Sequence, residues 1–137
     1  MNPGRIEKGT FMLYVKESES NLEDVCKRLE TAAQANNFGV LAVHDLKEKM
    51  VAKGVSFDAA CRVFEVCNPV KAKAVLETNM SIANALPCRI CVYEEYGKVK
   101  VSTLKPTELI ALFNSPSLQG VAREVEDALI RIIDASV

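Results

Sequence analysis

The sequence lacks most of the features by which enzymes and nucleotide-binding proteins are recognised. It contains no tryptophan, one histidine and six glycines in 137 residues. It has no glycine-rich phosphate loop, no dinucleotide-binding fingerprint, no His-Glu-x-x-His pair and no Gly-x-Ser-x-Gly elbow. Without a recognisable catalytic set, we expect a protein that is not an enzyme, unless one of its cysteines is reactive.

The charge balance argues against a surface that binds nucleic acid. The chain has 17 Lys and Arg against 18 Asp and Glu, whereas neutralising a phosphate backbone requires clustered cations. Its N-terminal segment, MNPGRIEKGT, lacks the apolar centre of a signal peptide, and no apolar run reaches the roughly 20 residues that span a bilayer. We expect a cytoplasmic protein with neither nucleic-acid nor membrane partners.

The order of strand and helix patterns predicts an α+β fold, in the sense of mixed α/β. The Glu95-Tyr96-Gly97 turn predicts a hairpin, so the sheet is not purely parallel. We expect one domain over 1–137, with a flexible segment at 1–9 and a five-stranded mixed sheet packed with helices in two layers. The predicted strands cover residues 10–16, 39–44, 60–67, 87–94 and 98–104, and the longer helices cover 20–36, 68–79 and 115–135.

The helix predicted over 115–135 is amphipathic. Its apolar stripe is formed by Leu118, Val121, Val125, Leu129 and Ile132. Acidic residues such as Glu126 are predicted to lie on other faces. The stripe is expected to pack on the sheet or across the two-fold interface of a dimer.

The segment Pro87-Cys88-Arg89-Ile90-Cys91 contains a Cys-x-x-Cys pattern on a predicted strand. Residues three apart on a strand have Cα atoms roughly 10 Å apart and side chains on opposite faces. A disulfide requires Cα atoms within about 7 Å. Cys88 and Cys91 therefore cannot bridge each other on a regular strand, and the odd total of five cysteines does not suggest a disulfide framework.

Cys67 is the candidate reactive thiol. It ends a predicted strand just before Asn68, a suitable helix cap, and Pro69, a suitable first-turn residue. The amides of a helix N-terminus favour a thiolate, and Cys88 is a candidate partner thiol. Such pairing requires antiparallel third and fourth strands, whereas the helix between them favours a parallel arrangement.

Three polar residues are candidates for a ligand site. His44 and Asp45 close the second strand, where α/β sheets often bind ligands. Glu65 lies on the same face as Cys67 in an otherwise apolar strand, so its carboxylate must reach water or find a partner. His44 with a thiolate is the one combination that suggests a metal or haem, but the spacing does not support a metal site and we expect no cofactor.

Three segments of the sequence together resemble the family called domain of unknown function 302. The distinctive feature is Glu65-x-Cys67-Asn68-Pro69, followed by Leu86-Pro87-Cys88 and a Val-Tyr-Glu hairpin. The resemblance implies a small bacterial or archaeal α+β protein, in some members a homodimer, with no established activity to transfer. It covers about residues 10–113 and the trailing helix, and rests on VHDLKEKMVAKGV, VFEVCNPVKAKAVLE and LPCRICVYEEYGKVKVSTLKPTEL. The family motifs fall on His44, Asp45, Glu65, Cys67, Asn68, Pro69, Pro87 and Cys88, whereas Cys26, Cys61 and Cys91 lie outside them.

These observations favour a homodimeric, non-catalytic module that binds a small ligand or a partner protein. The alternative is thiol-based redox chemistry or sulfur transfer, with Cys67, Cys88 and Glu65 as candidate catalytic residues. A further alternative is metal or haem binding through His44 and a thiolate. The candidate ligand-binding residues are His44, Asp45, Glu65, Cys67, Asn68 and Cys88.

Overall fold

In the described part of the chain, five antiparallel strands form the framework of the fold. The structure, a computed structural model, describes residues 11–137, so the segment predicted to be flexible, 1–9, lies outside the described residues. The strand order across the sheet is β1-β5-β4-β3-β2. The strands are β1 Leu13–Ser18, β2 Gly39–Asp45, β3 Cys61–Cys67, β4 Cys88–Glu95 and β5 Lys98–Leu104.

Helices connect these strands and pack beside them. The α+β class predicted from the sequence is confirmed, with five strands and the longer helices near their predicted positions in residues 11–137. The first strand is shifted, because the prediction places it over 10–16 and it runs from Leu13 to Ser18. The last helix begins at Gln119, because a 3-10 turn at Pro116–Leu118 comes before it. The helices are α1 Leu22–Ala35, α2 Leu46–Ala52, α3 Pro69–Thr78, α4 Pro106–Ile110 and α5 Gln119–Ser136, with further 3-10 turns at Met80–Ala85 and Ala111–Phe113.

The hairpin between β4 and β5 follows directly from its turn residues. Glu95 pairs with Lys98, which leaves Tyr96 and Gly97 as a two-residue loop. Both loop residues have positive φ, 53° and 75°, as a type I′ turn requires. Glycine adopts this conformation without steric cost, so the turn fixes the register of both strands.

The orientation of β3 and β4 differs from the prediction. All four pairs of neighbouring strands in the described residues are antiparallel, so the prediction of a mixed sheet is wrong, as is that of parallel β3 and β4. A helix that crosses the face of a sheet delivers the next strand in parallel. Here α3 and the Met80–Ala85 turn instead pack against α5 and Ile110, and the chain re-enters the sheet at the end where it left.

The main hydrophobic core lies between one face of the sheet and helices α1 and α5. We call this face the core face and the opposite one the outer face. Alternate residues of β3 and β4 point to the core, and each fully buried side chain stabilises the fold by about 1.5–3 kcal/mol. The largest of the fully buried side chains are Phe64, Leu29, Ile90, Leu129, Ile132 and Ile133.

A second, smaller cluster lies beyond the end of the sheet where β3 stops and β4 begins. It joins α3, the Met80–Ala85 turn, α4 and the first half of α5. We call it the end cluster. Its buried members are Val75, Ile82, Ile110, Leu118 and Ala122.

The prediction that Glu126 lies away from the buried stripe of the last helix is wrong. Glu126 is only 5 % exposed, and its Oε1 accepts hydrogen bonds from the Thr107 backbone N–H at 3.1 Å and the Thr107 hydroxyl at 2.6 Å. The residue before α4, Lys105, makes no side-chain cap. Glu126 therefore supplies, from α5, the acceptor that a helix N-terminus requires.

Replacing Glu126 by alanine should destabilise the fold by about 2 kcal/mol, because the partly buried N–H and hydroxyl of Thr107 would lose their acceptor. Urea unfolding of Glu126→Ala measures this directly. The matched control is Asp127→Ala, an exposed acidic position on the same helix, for which a change within about 0.5 kcal/mol is expected. Equal effects of the two substitutions would contradict the capping role.

Candidate functional site

A cleft of about 720 Å³ lies at the end of the sheet where β3 stops and β4 begins. One wall is the end of the sheet, with outer-face residues such as Glu65 and core-face residues such as Val66, and the other is the end cluster with α3 and α4. A volume of this size, lined mainly by apolar groups with a few polar ones, is typical of small-molecule sites. We call it the sheet-end cleft. Its apolar lining includes Val63, Val75, Ile82, Leu86, Ile110 and Phe113, and its charged lining residues, within 11–137, are Glu65, Lys71 and Arg89.

The strand register determines which side chains share the outer face. Glu65 lies directly opposite Arg89, and Val63 opposite both His44 and Cys91. Residues paired across antiparallel strands point to the same face. The outer face of three neighbouring strands therefore carries these polar groups, while Phe64 and its neighbours face the core.

A row of polar contacts crosses the outer face. His44 Nε2 lies 3.0 Å from Glu65 Oε1, and Lys49 Nζ lies 2.8 Å from His44 Nδ1. An ammonium group can only donate, so Nδ1 accepts and Nε2–H donates to Glu65. Arg89 Nε completes the row at 3.9 Å from Glu65 Oε2. We call Lys49, His44, Glu65 and Arg89 the polar row.

The polar row explains how the carboxylate of Glu65 is accommodated on an otherwise apolar strand. The Glu65 side chain is 21 % exposed, and both of its oxygens face a donor or a cation. A partly buried carboxylate is stable only with such partners. The arrangement leaves Arg89 on the solvent side of the row, with its side chain 65 % exposed.

Cys67 and Cys88 are brought together at the mouth of the cleft. Val66 pairs directly with Cys88, so Cys67 is the diagonal neighbour of Cys88 across the strands. The two side chains nevertheless leave opposite faces, because Cys88 packs against the main core and Cys67 follows Glu65 on the outer face. Cysteines whose Cβ vectors diverge cannot form a disulfide without backbone movement.

The surroundings of both thiols favour the protonated form. Burial raises the pKa of Cys67 above its ordinary value. Burial, and secondarily the neighbouring Cys67, raises the pKa of Cys88 to about 11. Asn68 Oδ1 already accepts the backbone N–H groups of Val70 and Lys71, at 3.1 and 3.2 Å. The amides expected to stabilise a thiolate at Cys67 are therefore occupied by the helix cap.

Most of the residues predicted from the sequence to bind a ligand line the cleft. Asp45 does not: it caps α2 through Glu48 N at 2.9 Å and lies 3.6 Å from the Arg62 guanidinium. Sequence reasoning missed Lys71 and Arg89. Arg89 is identified only once the antiparallel register places it opposite Glu65. The predicted residues that line the cleft are His44, Glu65, Cys67, Asn68 and Cys88.

The chemistry of the described residues offers little to a metal ion. Within 11–137, no three His, Cys, Asp or Glu side chains form a group that could hold one. Both ring nitrogens of His44 are engaged within the polar row.

Among residues 11–137, no helix combines the length and apolar character needed to cross a membrane.

Comparison with known proteins agrees with the fold. Residues 14–136 match the family described as Domain of unknown function DUF302. The chain belongs to this family. An uncharacterized protein of Aquifex aeolicus (strain VF5) is 34 % identical over 115 residues, which cover 80 % of this chain and 74 % of that protein. The crystal structure of an uncharacterized conserved DUF302 protein from Bacillus stearothermophilus matches with a TM-score of 0.88 and 32 % identity, over 92 % of this chain and 98 % of that one.

For this DUF302 protein, we expect iodoacetamide to label Cys67 and Cys88 at least about tenfold more slowly in the native reduced protein than in guanidinium, because the thiolate is the reactive form. With a pKa of about 11, Cys88 should still gain rate above about pH 9, where an ordinary thiol near 8.5 levels off. Mass spectrometry reads each site separately. Fast native labelling of Cys67, with an apparent pKa below that of an ordinary thiol, would contradict the prediction.

Proposed function

We propose that this DUF302 protein is a non-catalytic binding module, folded as one domain, whose small-molecule ligand occupies the sheet-end cleft. The proposal rests on the cleft itself, which has a volume of about 720 Å³ and a mainly apolar lining with polar groups along one wall. Apolar lining supplies affinity and the few polar groups fix orientation. His44, Glu65, Cys67, Asn68 and Cys88 then serve as lining residues.

The pairing of the charged lining groups supports binding rather than catalysis. His44 is held between Lys49 and Glu65, and Lys71 is paired with Glu124 on α5. A general base must reach a substrate proton, and a nucleophile needs a nearby base or a lowered pKa. The raised pKa values of Cys67 and Cys88 are the opposite of what a nucleophile needs.

We further propose that two copies associate through the outer face. Leu13, Val15 and Leu104 lie on adjacent strands β1 and β5 and are exposed. Contiguous apolar groups on a surface often mark an interface, and a two-fold pairing would bury the same stripe on both subunits. Because Leu13 and Leu104 also line the cleft, the second copy would close its open side.

A second candidate function is thiol chemistry at Cys67 and Cys88, favoured by their adjacency across β3 and β4. Oxidation of the pair would form one S–S bond and release two protons and two electrons to an external oxidant such as a peroxide. The diverging side chains require the strand ends to move first. Peroxide treatment followed by mass spectrometry tests it, since a Cys67–Cys88 disulfide would favour this function and oxidation of isolated thiols would not.

A substitution that fills the cleft tests the binding function. Nile red, an uncharged apolar probe, should gain fluorescence on binding the native protein. We expect Ala72→Phe, which places a ring in the cleft, to reduce this affinity at least about tenfold, the change expected when about 1.4 kcal/mol of binding is lost. Ala72 lines the cleft.

The control is Ala74→Phe, on the same helix but exposed and outside the cleft lining. It should bind the probe as the native protein does. Equal affinity of all three proteins, or no binding by the native protein, would contradict the proposed function.

A further inference from the structure

We propose that the sheet-end cleft binds small apolar monocarboxylates and that Arg89 binds the carboxylate. This inference rests on the proposed function, since it names the ligand class for the same cleft. Its basis is the charge of the polar row, the unused donors of Arg89 and the apolar surface beside them.

The four groups of the polar row carry one net positive charge among themselves, and within 11–137 Glu65 is the only carboxylate within 4 Å of Arg89. Lys49 and Arg89 each contribute one positive charge, Glu65 contributes one negative charge, and His44 is neutral in the tautomer that its contacts require. The other cation of the lining, Lys71, is matched by Glu124. One monovalent anion would therefore neutralise the row.

Arg89 differs from the other arginines of the described chain. Arg28 donates to the Ser136 carbonyl, Arg62 to Glu23, Arg123 to Glu126 and Arg131 to Asn36. Within 11–137, Arg89 alone makes no side-chain hydrogen bond, because its 3.9 Å approach to Glu65 exceeds hydrogen-bond length.

The guanidinium of Arg89 therefore keeps its donors for a ligand. Its two terminal nitrogens present the planar fork that binds both oxygens of a carboxylate. The same side chain lines the cleft, with 65 % of its surface exposed. A carboxylate bound there would lie at the solvent side of the polar row.

The other wall of the cleft suits an apolar body. Leu86 and Phe113 pack against the end cluster, and both line the cleft. Burying apolar ligand surface against them removes it from water, which is favourable in proportion to its area. A carboxylate at Arg89 with an aliphatic or aromatic body towards the end cluster satisfies both parts of the site.

Calorimetric titration of the full chain with octanoate, octan-1-ol and octylamine tests the inference, since these probes share an eight-carbon chain and differ in charge. We expect octanoate to bind at least about tenfold more tightly than octan-1-ol, as one charge-assisted hydrogen-bonded pair would provide. Arg89→Gln should abolish this preference and leave the affinity for octan-1-ol unchanged. Arg131→Gln, on α5 and outside the cleft lining, should retain it.

The outcomes separate the two proposals. Equal binding of octanoate and octan-1-ol, tighter binding of octylamine, or no octanoate binding by a protein that takes up Nile red in the cleft would overturn the carboxylate inference alone. A preference for octanoate that survives Arg89→Gln would overturn the role of Arg89. Failure of every probe, Nile red included, would overturn the binding function itself.

Discussion

The antiparallel pairing of β3 with β4 determines both the core and the site. Its register, with Phe64 opposite Ile90 and Glu65 opposite Arg89, assigns alternate residues to the two faces of the sheet. A slip of one residue would bring Glu65 and Arg89 into the core and expose Ile90. Burial of Phe64 and Ile90 in the core therefore also fixes the Glu65–Arg89 ion pair at the outer face. No further interaction is needed to position these two side chains.

The connection between these strands builds the other wall of the cleft. Asn68 caps α3 as the chain leaves β3, and the helix packs into the end cluster beyond the sheet instead of across its face. Glu126 holds the start of α4 against α5. An open space remains between the sheet end and these helices because they pack against one another and leave that end of the sheet uncovered.

Local features of the chain could be predicted from the sequence, and long-range ones could not. Strand β5, the Tyr96-Gly97 turn and the opposite faces of Cys88 and Cys91 follow from residue type and strand periodicity alone. The direction of β4 depends on whether α3 packs across the sheet or past its end, which no local pattern specifies. For the same reason Arg89 could not be identified from the sequence as a residue of the site, because its position opposite Glu65 follows only from the direction and register of β4.

The raised pKa values of Cys67 and Cys88 and the preference of the cleft for an apolar ligand have one physical cause, the apolar surroundings. The apolar surroundings that raise the pKa of Cys67 and Cys88 penalise any charge without a partner, and equally favour an apolar ligand. In such a site a neutral thiol acts as a small apolar group. Charge is tolerated only where a group has a partner or reaches solvent, as along the polar row and at Lys71, which is paired with Glu124. A ligand that matches this division must carry its charge at one end. Ligands that have chains of the same length but differ in charge therefore separate the contribution of Arg89 from that of the apolar wall.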